Sequence, residues 1–425
     1  MAQRPRVVIV GAGFAGLACA KHLRRVGVDA VIVDRHNYYL FLPLLYQVAS
    51  GLLDPSEVAY PVRTALRRAR NVDVRMAEVT AVDLDARRVT TSAGELEYDS
   101  LVLATGSVDN YYGLAGLEES ASGLKGLEQG LWLRSHVLRA FEQASKTDDS
   151  DERRRLLSIV VVGGGPTGVE YCGAVGELIY RVLPKDFRRL DFSEVSITLV
   201  EAADQVLGTF APRLGHKAAR ALARRGVRVL LGRKVAGATA SGLTLDDGQQ
   251  LAAGTVVWAA GVTAAPVAAL LGVPAGSQGR VAVTDAMHLP GRPEVFVIGD
   301  GAEVHHNGAP LPMLAAVAIQ QGKHVARTLD GRLKGRADRP FRYFDKGTMA
   351  TVGRGVAVAE IGPIRVNGFI GWLMWLGLHF IYIIGFRSRA VVLISWFWNF
   401  LFYDRPVRLI VDYPEVQRAT TNTRR

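Results

Sequence analysis

The chain has 425 residues, of which 49% are hydrophobic and 21% charged, and this composition excludes an intrinsically disordered protein. Its length exceeds one ordinary hydrophobic core, so two or three domains are expected. The net charge is +11, and residues 336–425, with thirteen Lys or Arg against six Asp or Glu, contribute +7 of it. Because this basic segment is also apolar, we expect an anionic lipid surface as its partner and no nucleic acid.

Cysteine usage argues against thiol chemistry. Cys19 and Cys172 each follow a glycine motif inside an apolar stretch, and the chain has no CxxC or CxxxxC pair. We therefore expect both to be buried packing residues in a reducing compartment. The N-terminal residues run directly into the strand Val7–Val10 without an apolar stretch long enough for a signal peptide, so a cytoplasmic location is expected.

The first predicted elements form one βαβ unit. A strand at Val7–Val10, a helix at Leu17–Val26 and a second buried strand at Ala30–Val33 flank a glycine-rich loop. The loop satisfies G-x-G-x-x-G through its three glycines, and an acid ends the second strand; these residues are Gly11, Gly13, Gly16 and Asp34. Such a loop brings backbone N–H groups to a pyrophosphate, while the acid accepts hydrogen bonds from ribose hydroxyls. The unit predicts a dinucleotide site.

The same pattern returns after a polar, charge-dense run at 145–155, which we predict to be a linker. A strand at Ser158–Val162, a helix at Val169–Tyr180 and a strand at Val195–Val200 surround a second glycine loop. The three glycines of this loop and the acid that follows the last strand are Gly163, Gly165, Gly168 and Glu201. An acid in this position bonds a free 2′-hydroxyl and repels a 2′-phosphate, so NADH is expected in preference to NADPH.

Three further buried strands end in glycine. Leu101–Gly106 follows the first unit and Val256–Gly261 the second, while Val295–Ile298, before Gly299 and Asp300, is expected to return to the first domain. Two dinucleotide sites on one chain fit a hydride transfer from nicotinamide to flavin. The sequence presents no Ser/His/Asp constellation and no metal cluster, and the pair His305 and His306 is expected in a solvated loop.

The C-terminal segment holds two apolar runs, 369–386 and 390–403, separated by Arg387 and Arg389. Four of the six tryptophans lie in them, namely Trp372, Trp375, Trp396 and Trp398. A transmembrane helix, a buried core helix and a pair of helices lying in one leaflet remain open. The aromatic enrichment favours the interfacial pair.

These motifs together resemble the type II NADH:quinone oxidoreductases, over nearly the whole chain. The resemblance is carried by VVIVGAGFAGL at 7–17, FLPLLYQVASG at 41–51, LVLATGS at 101–107, VVGGGPTGVE at 161–170, VFVIGDGA at 295–302, YFDKGTMATVGR at 343–354 and FIGWLMWLGLHFIYIIGF at 369–386. It implies a peripheral enzyme on the cytoplasmic face of the membrane that oxidises NADH through FAD and reduces membrane quinone without pumping protons.

The resemblance also implies roles for individual residues. The FAD site would comprise Gly11, Gly13, Gly16, Asp34, Thr105, Gly106 and Asp300, with Asp300 at the start of a helix, and the NADH site would comprise Gly163, Gly165, Gly168 and Glu201. Glu170 would be the catalytic carboxylate near the nicotinamide and flavin. An ordinary first-turn glutamate stabilised by the helix dipole is the competing interpretation.

The chain departs from the family pattern on the quinone side. The family commonly reads Ala-Gln-x-Ala-x-Gln where this chain reads Ala315 to Gln320, so that Ala316 replaces the first glutamine. Gln320 remains as the catalytic-site contact to a quinone carbonyl, and Lys346, His379 and Tyr382 are weaker candidates. For His379, packing within its apolar run is an equal alternative.

We therefore predict an α/β fold with two Rossmann-like dinucleotide-binding domains and a C-terminal helical membrane-attachment module. The expected domains are 1–115 with 270–335 for FAD, 156–269 for NADH and 336–425 for membrane association. Quinone, the membrane surface and a second copy in a homodimer are the expected partners. A soluble NADH-dependent reductase of a small iron–sulfur protein, and a slow redox sensor, are the alternatives.

Overall fold

The computed structural model describes residues 4–306 and 308–411 of the chain. The strands in these ranges, numbered in chain order, are β1 (Arg6–Val10), β2 (Asp29–Asp34), β3 (Tyr38–Leu40), β4 (Ala59–Pro61), β5 (Val72–Met76), β6 (Val79–Asp83), β7 (Arg88–Thr91), β8 (Gly94–Glu97), β9 (Ser100–Leu103), β10 (Ser107–Asp109), β11 (Ser158–Val162), β12 (Ser196–Glu201), β13 (Val227–Leu231), β14 (Val235–Thr239), β15 (Gly242–Leu245), β16 (Gln250–Ala252), β17 (Thr255–Trp258), β18 (Val262–Ala264), β19 (Val281–Ala282), β20 (His288–Leu289), β21 (Arg292–Val297), β22 (Ala302–Glu303), β23 (His305–His306), β24 (Ala309–Pro310), β25 (Thr348–Thr351), β26 (Ala357–Ile361) and β27 (Ile364–Asn367).

The α-helices in the same ranges are α1 (Phe14–Leu23), α2 (Leu45–Ala49), α3 (Pro55–Val58), α4 (Val62–Leu66), α5 (Leu117–Ser120), α6 (Leu127–Ala144), α7 (Ser150–Leu156), α8 (Pro166–Glu177), α9 (Leu183–Asp186), α10 (Pro212–Ala223), α11 (Ala315–Leu333), α12 (Gly368–Tyr382) and α13 (Phe386–Phe402). A π-helical turn, Leu178–Val182, continues α8.

The chain folds into two compact units. The first unit contains the residues up to Leu40, Ala59–Val108 and Val262–Asp345. The second contains Phe41–Val58, Asp109–Gly261 and the residues from Lys346 onward. The domains predicted from the sequence remain a prediction; the units group the C-terminal helices with the second glycine loop, and residues 412–425 of the predicted C-terminal module lie outside the described residues.

The first unit is built on a six-stranded sheet in the order β20-β21-β9-β1-β2-β5, parallel except for the pair β20 and β21. β1 lies between β2 and β9. The strand that follows β1 in sequence therefore pairs on one side of it, and a strand from later in the chain pairs on the other side. This switch point opens a crevice at the carboxyl end of β1, where ligands bind in such sheets. The prediction that Val295–Ile298 returns to this sheet is confirmed, because β21 pairs with β9.

The second unit repeats this arrangement with a four-stranded parallel sheet in the order β13-β12-β11-β17. β11 is again flanked by the strand that follows it and by one from much later in the chain. Two antiparallel three-stranded sheets accompany it, β14-β15-β16 and β25-β26-β27. The predicted fold class, with two Rossmann-like halves and C-terminal helices, is confirmed.

Several local predictions are corrected. The second half of the predicted linker is α7, which begins after Asp149 because the Asp149 carboxylate accepts from the N–H groups of Asp151 and Glu152. Helix α1 begins at Phe14, three residues earlier than expected, so that Gly16 lies inside it. The first C-terminal run ends as a helix at Tyr382, since Gly385 adopts a φ of +90° between α12 and α13. In the described chain, no helix combines the length and apolarity needed to span a bilayer.

Candidate functional site

The first glycine loop is shaped by close backbone contacts. Gly11 has a φ of +99°, and a Cβ on it would lie 2.3 Å from the carbonyl oxygen of Ala104. A Cβ on Gly16 would lie 1.9 Å from the carbonyl oxygen of Gly11, so α1 can approach β1 only without a side chain there. A Cβ on Gly13 would meet nothing within 4 Å. The loop is therefore tight on its inner side and open at Gly13, as a bound pyrophosphate requires.

Asp34 holds this loop from the end of β2. Its Oδ2 accepts from the N–H of Ala12 at 2.6 Å, and its Oδ1 accepts from the N–H of His36 at 2.8 Å. A carboxylate has about four lone-pair sites, so two remain for ribose hydroxyls. Asp34 thus positions the loop and still presents acceptors at its mouth.

The other residues predicted for FAD lie at neighbouring strand ends of the same unit. Thr105 and Gly106 directly follow β9, and Gly106 has a φ of +71°. Asp300 accepts from the Ser107 hydroxyl at 2.5 Å across 193 residues of sequence. The helix expected to begin at Asp300 is a single turn of 3₁₀-helix, Gly299–Gly301, which follows β21 and leads into β22.

Gln321 is a residue of this site that the sequence reasoning missed. Its side chain is buried, and its Oε1 accepts from the N–H of Gly299 at 2.6 Å, which fixes the turn that carries Asp300. A Cβ on the next residue, Gly322, would lie 2.2 Å from the carbonyl oxygen of Ala15, so α11 packs directly against α1. The glycine at each of these two contacts, Gly299 and Gly322, is the feature of the sequence that could have indicated this site.

The second glycine loop reproduces the first. Gly163 has a φ of +105°, a Cβ on Gly168 would lie 1.9 Å from the Gly163 carbonyl oxygen, and a Cβ on Gly165 would meet nothing within 4 Å. The Oε2 of Glu201 accepts from the N–H of Gly164 at 2.5 Å, and its Oε1 accepts from the N–H of Ala203 at 2.7 Å. Both loops fit a dinucleotide pyrophosphate, each with an acid at the adjacent strand end.

Glu170 lies deep in the second unit. It is the fifth residue of α8 and only 8% exposed, so the alternative of an ordinary first-turn glutamate is wrong. Its Oε1 accepts from the N–H of Thr351 and from the indole Nε1 of Trp375, each at 3.2 Å. Burial raises the pKa of Glu170 to about 8, against the opposing effect of these two donors.

A ring cluster on α12 adjoins this carboxylate. The rings of Trp375 and His379 stack with centroids 4.0 Å apart, and the His379 Nδ1 lies 2.7 Å from the Trp375 carbonyl oxygen. Burial lowers the pKa of His379 to about 4, so the imidazole is neutral at physiological pH. One helical turn further, the Tyr382 hydroxyl accepts from Lys346 at 2.9 Å. Three of the candidates predicted for quinone thus share one face of the second unit.

The other two predicted quinone residues lie on α11 in the first unit. Gln320 is half-buried and its amide is occupied, because Nε2 donates to the Phe344 carbonyl at 2.9 Å and Oε1 accepts from the Phe344 N–H at 3.0 Å. Its Nε2 also lies 3.2 Å from the Ala316 carbonyl oxygen. These hydrogen bonds from Gln320 hold the segment that follows α11 in place.

The second unit contains a buried ion pair that the sequence did not predict. Arg405, 1% exposed, donates to Glu177 at 3.2 Å and to the Ser50 carbonyl at 2.8 Å. Glu177 also accepts from the N–H of Arg354 at 2.5 Å, and the Arg354 guanidinium stacks on the Tyr403 ring. These contacts anchor the chain that leaves α13.

Two of the four C-terminal tryptophans do not have the exposure that the expected interfacial position requires. Trp375 and Trp396 are buried, and the Trp396 indole donates to the Gln47 Oε1 at 2.8 Å. The exposed surface of the two helices is aliphatic and aromatic instead, and comprises Phe369, Ile370, Leu373, Leu378, Ile381, Phe386, Leu393, Ile394, Phe397, Trp398, Leu401 and Phe402. We call these residues the apolar face.

Both cysteines are free and fully buried, as predicted. Burial raises the pKa of the Cys19 thiol to about 12 and raises that of Cys172 as well. Neither thiol is an available nucleophile. The pair His305 and His306 forms a short strand, β23, paired with β24, and not the expected loop.

Comparison with known proteins agrees with this geometry. Residues 5–322 match the family described as pyridine nucleotide-disulphide oxidoreductase. The chain is 41% identical to a type II NADH:quinone oxidoreductase, Ndh, of Mycobacterium tuberculosis, covering 99% of this chain and 93% of that protein. It is 32% identical to a type II NADH:quinone oxidoreductase of Staphylococcus haemolyticus, covering 83% and 89%. Among solved structures, NDH2 of Plasmodium falciparum in complex with NADH has a TM-score of 0.87 at 18% identity, covering 95% and 100%.

Proposed function

Because this chain belongs to the type II NADH:quinone oxidoreductase family, we propose that it is an FAD-dependent enzyme that oxidises NADH and reduces a membrane quinone to quinol. FAD and NADH are its cofactors. The observation that carries the proposal is the duplicated glycine loop, open at Gly13 and at Gly165, with an acid at each adjacent strand end. Two such loops provide for two dinucleotides on one chain.

The residues of each loop then have defined roles. The first loop, with Asp34, Thr105, Gly106 and Asp300, holds FAD, and the second loop, with Glu201, holds NADH. When bound, FAD would supply the hydride acceptor for NADH and the electron donor for quinone. The protein binds and orients the reactants and holds protons where quinol formation needs them.

The quinone-side chemistry is assigned to the ring cluster of the second unit. Conversion of NADH, a proton and quinone to NAD⁺ and quinol consumes a proton, and Glu170 is mostly protonated at neutral pH because its pKa is about 8. His379 is neutral and lies one helical turn from Tyr382, and the free Nε2 of its imidazole can accept a hydrogen bond from a quinol hydroxyl. Gln320 stays a predicted contact, although its amide already bonds Phe344.

The activity is tested with the purified chain. We expect NADH oxidation with a quinone, short-chain or native, as acceptor to produce one quinol per NADH, measured by absorbance of both compounds. The alternative of a soluble reductase predicts electron delivery to a small iron–sulfur protein instead. Oxidation of NADH with such a protein but with no quinone would overturn the proposal.

We further propose that the apolar face is the surface that contacts the membrane. Ile370, Ile381, Ile394 and Phe397 are each more than three-fifths exposed, and Phe386 is 88% exposed. Large apolar side chains exposed together along two helices are typical of an interaction surface. Arg387 lies beside it and supplies positive charge for anionic headgroups. The cytoplasmic face is proposed as its location, since NADH is a cytoplasmic substrate.

The attachment is tested by point substitutions, because Trp375, Trp396 and Arg405 are buried in the second unit and truncation would remove that packing. Ile370→Glu combined with Phe397→Glu is expected to reduce binding to vesicles containing anionic lipid by at least about tenfold in a sedimentation assay. Leu333→Glu, an exposed apolar position on α11, is the control and should bind normally. Retained vesicle binding together with loss of a dimer, measured by light scattering, would assign the face to the predicted homodimer instead.

A further inference from the structure

Trp375 contacts two titratable groups at once. Its indole donates to Glu170, and its ring stacks on His379 with an interplanar angle of 26°. The side chain is 1% exposed, and the rings of Tyr46 and Trp396 lie 6.4 Å and 5.7 Å from it. This packing prevents the indole from turning, so its N–H has one direction.

The indole constrains the proton on Glu170. The N–H groups of Trp375 and Thr351 both donate to Oε1, and an oxygen that accepts two such bonds is a poor site for an acidic proton. The proton of the neutral carboxyl is therefore directed to Oε2. The position of a transferable proton is set by residues on α12 and β25, not by α8 itself.

The backbone of the same tryptophan constrains His379. A carbonyl oxygen can only accept, so the His379 Nδ1 at 2.7 Å from the Trp375 carbonyl carries the hydrogen. The neutral ring then exposes its lone pair on Nε2. The placement of the hydrogen on Nδ1 and of the lone pair on Nε2 follows from this backbone contact and needs no charged neighbour of the imidazole.

We propose that Trp375 is a positioning residue for the proton chemistry of this enzyme, fixing which atoms of Glu170 and His379 hold protons. The proposal rests on the proposed role of Glu170. The titratable group coupled to this carboxyl is Tyr46 on α2, and Glu177 on α8 and Arg405 beyond α13 act on Tyr46 in turn. His379 on α12 lies against Trp375. The indole of Trp375 and the backbone N–H of Thr351 donate to Glu170 itself.

The test compares Trp375→Phe with Trp396→Phe, since both residues are buried indoles but Trp396 donates to Gln47. The pKa of Glu170 is followed by infrared titration of its carboxyl C=O band, which Glu170→Gln identifies by its loss. Removing a donor to the ionised carboxylate is expected to raise this pKa by about one unit in Trp375→Phe and not in Trp396→Phe. The pH profile of quinone reduction should move upward with it, while reduction of ferricyanide, which takes electrons without protons, stays within about threefold.

An unchanged Glu170 pKa in folded Trp375→Phe, or an equal shift in Trp396→Phe, would overturn the proposal. If Trp375→Phe does not fold, His379→Leu replaces it, because this change removes the stacking partner without touching Glu170. A smaller upward shift is then expected, and no shift contradicts the coupling. The infrared titration does not depend on turnover, so a wild-type chain that reduces no quinone would overturn the proposed function and leave the positioning role separately measurable.

Discussion

Gly13→Val is expected to yield a folded protein without FAD. A side chain at Gly13 would meet no protein atom within 4 Å, and its extended backbone is open to any residue, so the first unit should fold normally. The new side chain would fill the space in which the pyrophosphate approaches the N–H groups of α1. We expect the FAD content, measured by flavin absorbance after purification, to fall at least about tenfold.

A matched control is Gly27→Val, which lies in the same unit and has equally open space around its Cβ position. It should retain full FAD and an unchanged melting temperature. Gly16→Ala gives the contrasting result, because its Cβ would lie 1.9 Å from the Gly11 carbonyl oxygen and the unit itself should lose stability. Full flavin loading of Gly13→Val would show that FAD does not bind at this loop.

The glycine loops were predictable because their information is local. Gly11, Gly13 and Gly16 lie within six residues, and the need for positive φ or close approach is expressed directly as the absence of a side chain. Their trailing acids are also found from the sequence, since Asp34 and Glu201 end the next parallel strand even though an insertion lengthens the second interval. Glycine spacing, the flanking strand and helix, and the trailing acid together therefore located both loops.

The surroundings of Glu170 could not be predicted in this way. Its two donors, Thr351 and Trp375, are 181 and 205 residues away in sequence and reach it through β25 and α12. The run that contains Trp375 is apolar all round, so it carries no periodicity to show which ring faces inward. Only the fold separates the buried Trp375 from the partly exposed Trp372.

Two adjacent residues on α11 also show that the sequence does not determine which side chain of a helix faces inward. The sequence reasoning selected Gln320, whereas the buried amide that supports the turn of Asp300 belongs to Gln321. One residue is about 100° of helical rotation, which decides whether a side chain points to Phe344 or to Gly299. A helix boundary uncertain by one or two residues does not fix that rotation, so the choice between the two glutamines required the structure.

Glu170→Gln is expected to reduce the turnover number for quinone by about tenfold to a hundredfold, while ferricyanide reduction stays within about threefold. Glutamine keeps the size of the side chain and can still accept from Trp375, but it has no transferable proton, and general acid groups typically contribute at least this much. Glu57→Gln is the control, because Glu57 is a half-buried glutamate of the same unit bonded to Ser395. Equal rates with quinone for Glu170→Gln and wild type would remove Glu170 from the proton chemistry.

The same substitution has a defined effect on stability. The folded-state pKa of Glu170 is raised from 4.5 to about 8, so below pH 4.5 the carboxyl is neutral in both folded and unfolded chains. Between these values the unfolded chain ionises while the folded chain holds the proton, and stability falls as pH rises, by roughly 3–5 kcal/mol in total. Above pH 8 the loss is complete. Glu170→Gln should remove this slope in urea denaturation between pH 5 and pH 8, and an unchanged slope would show that Glu170 titrates near its ordinary value.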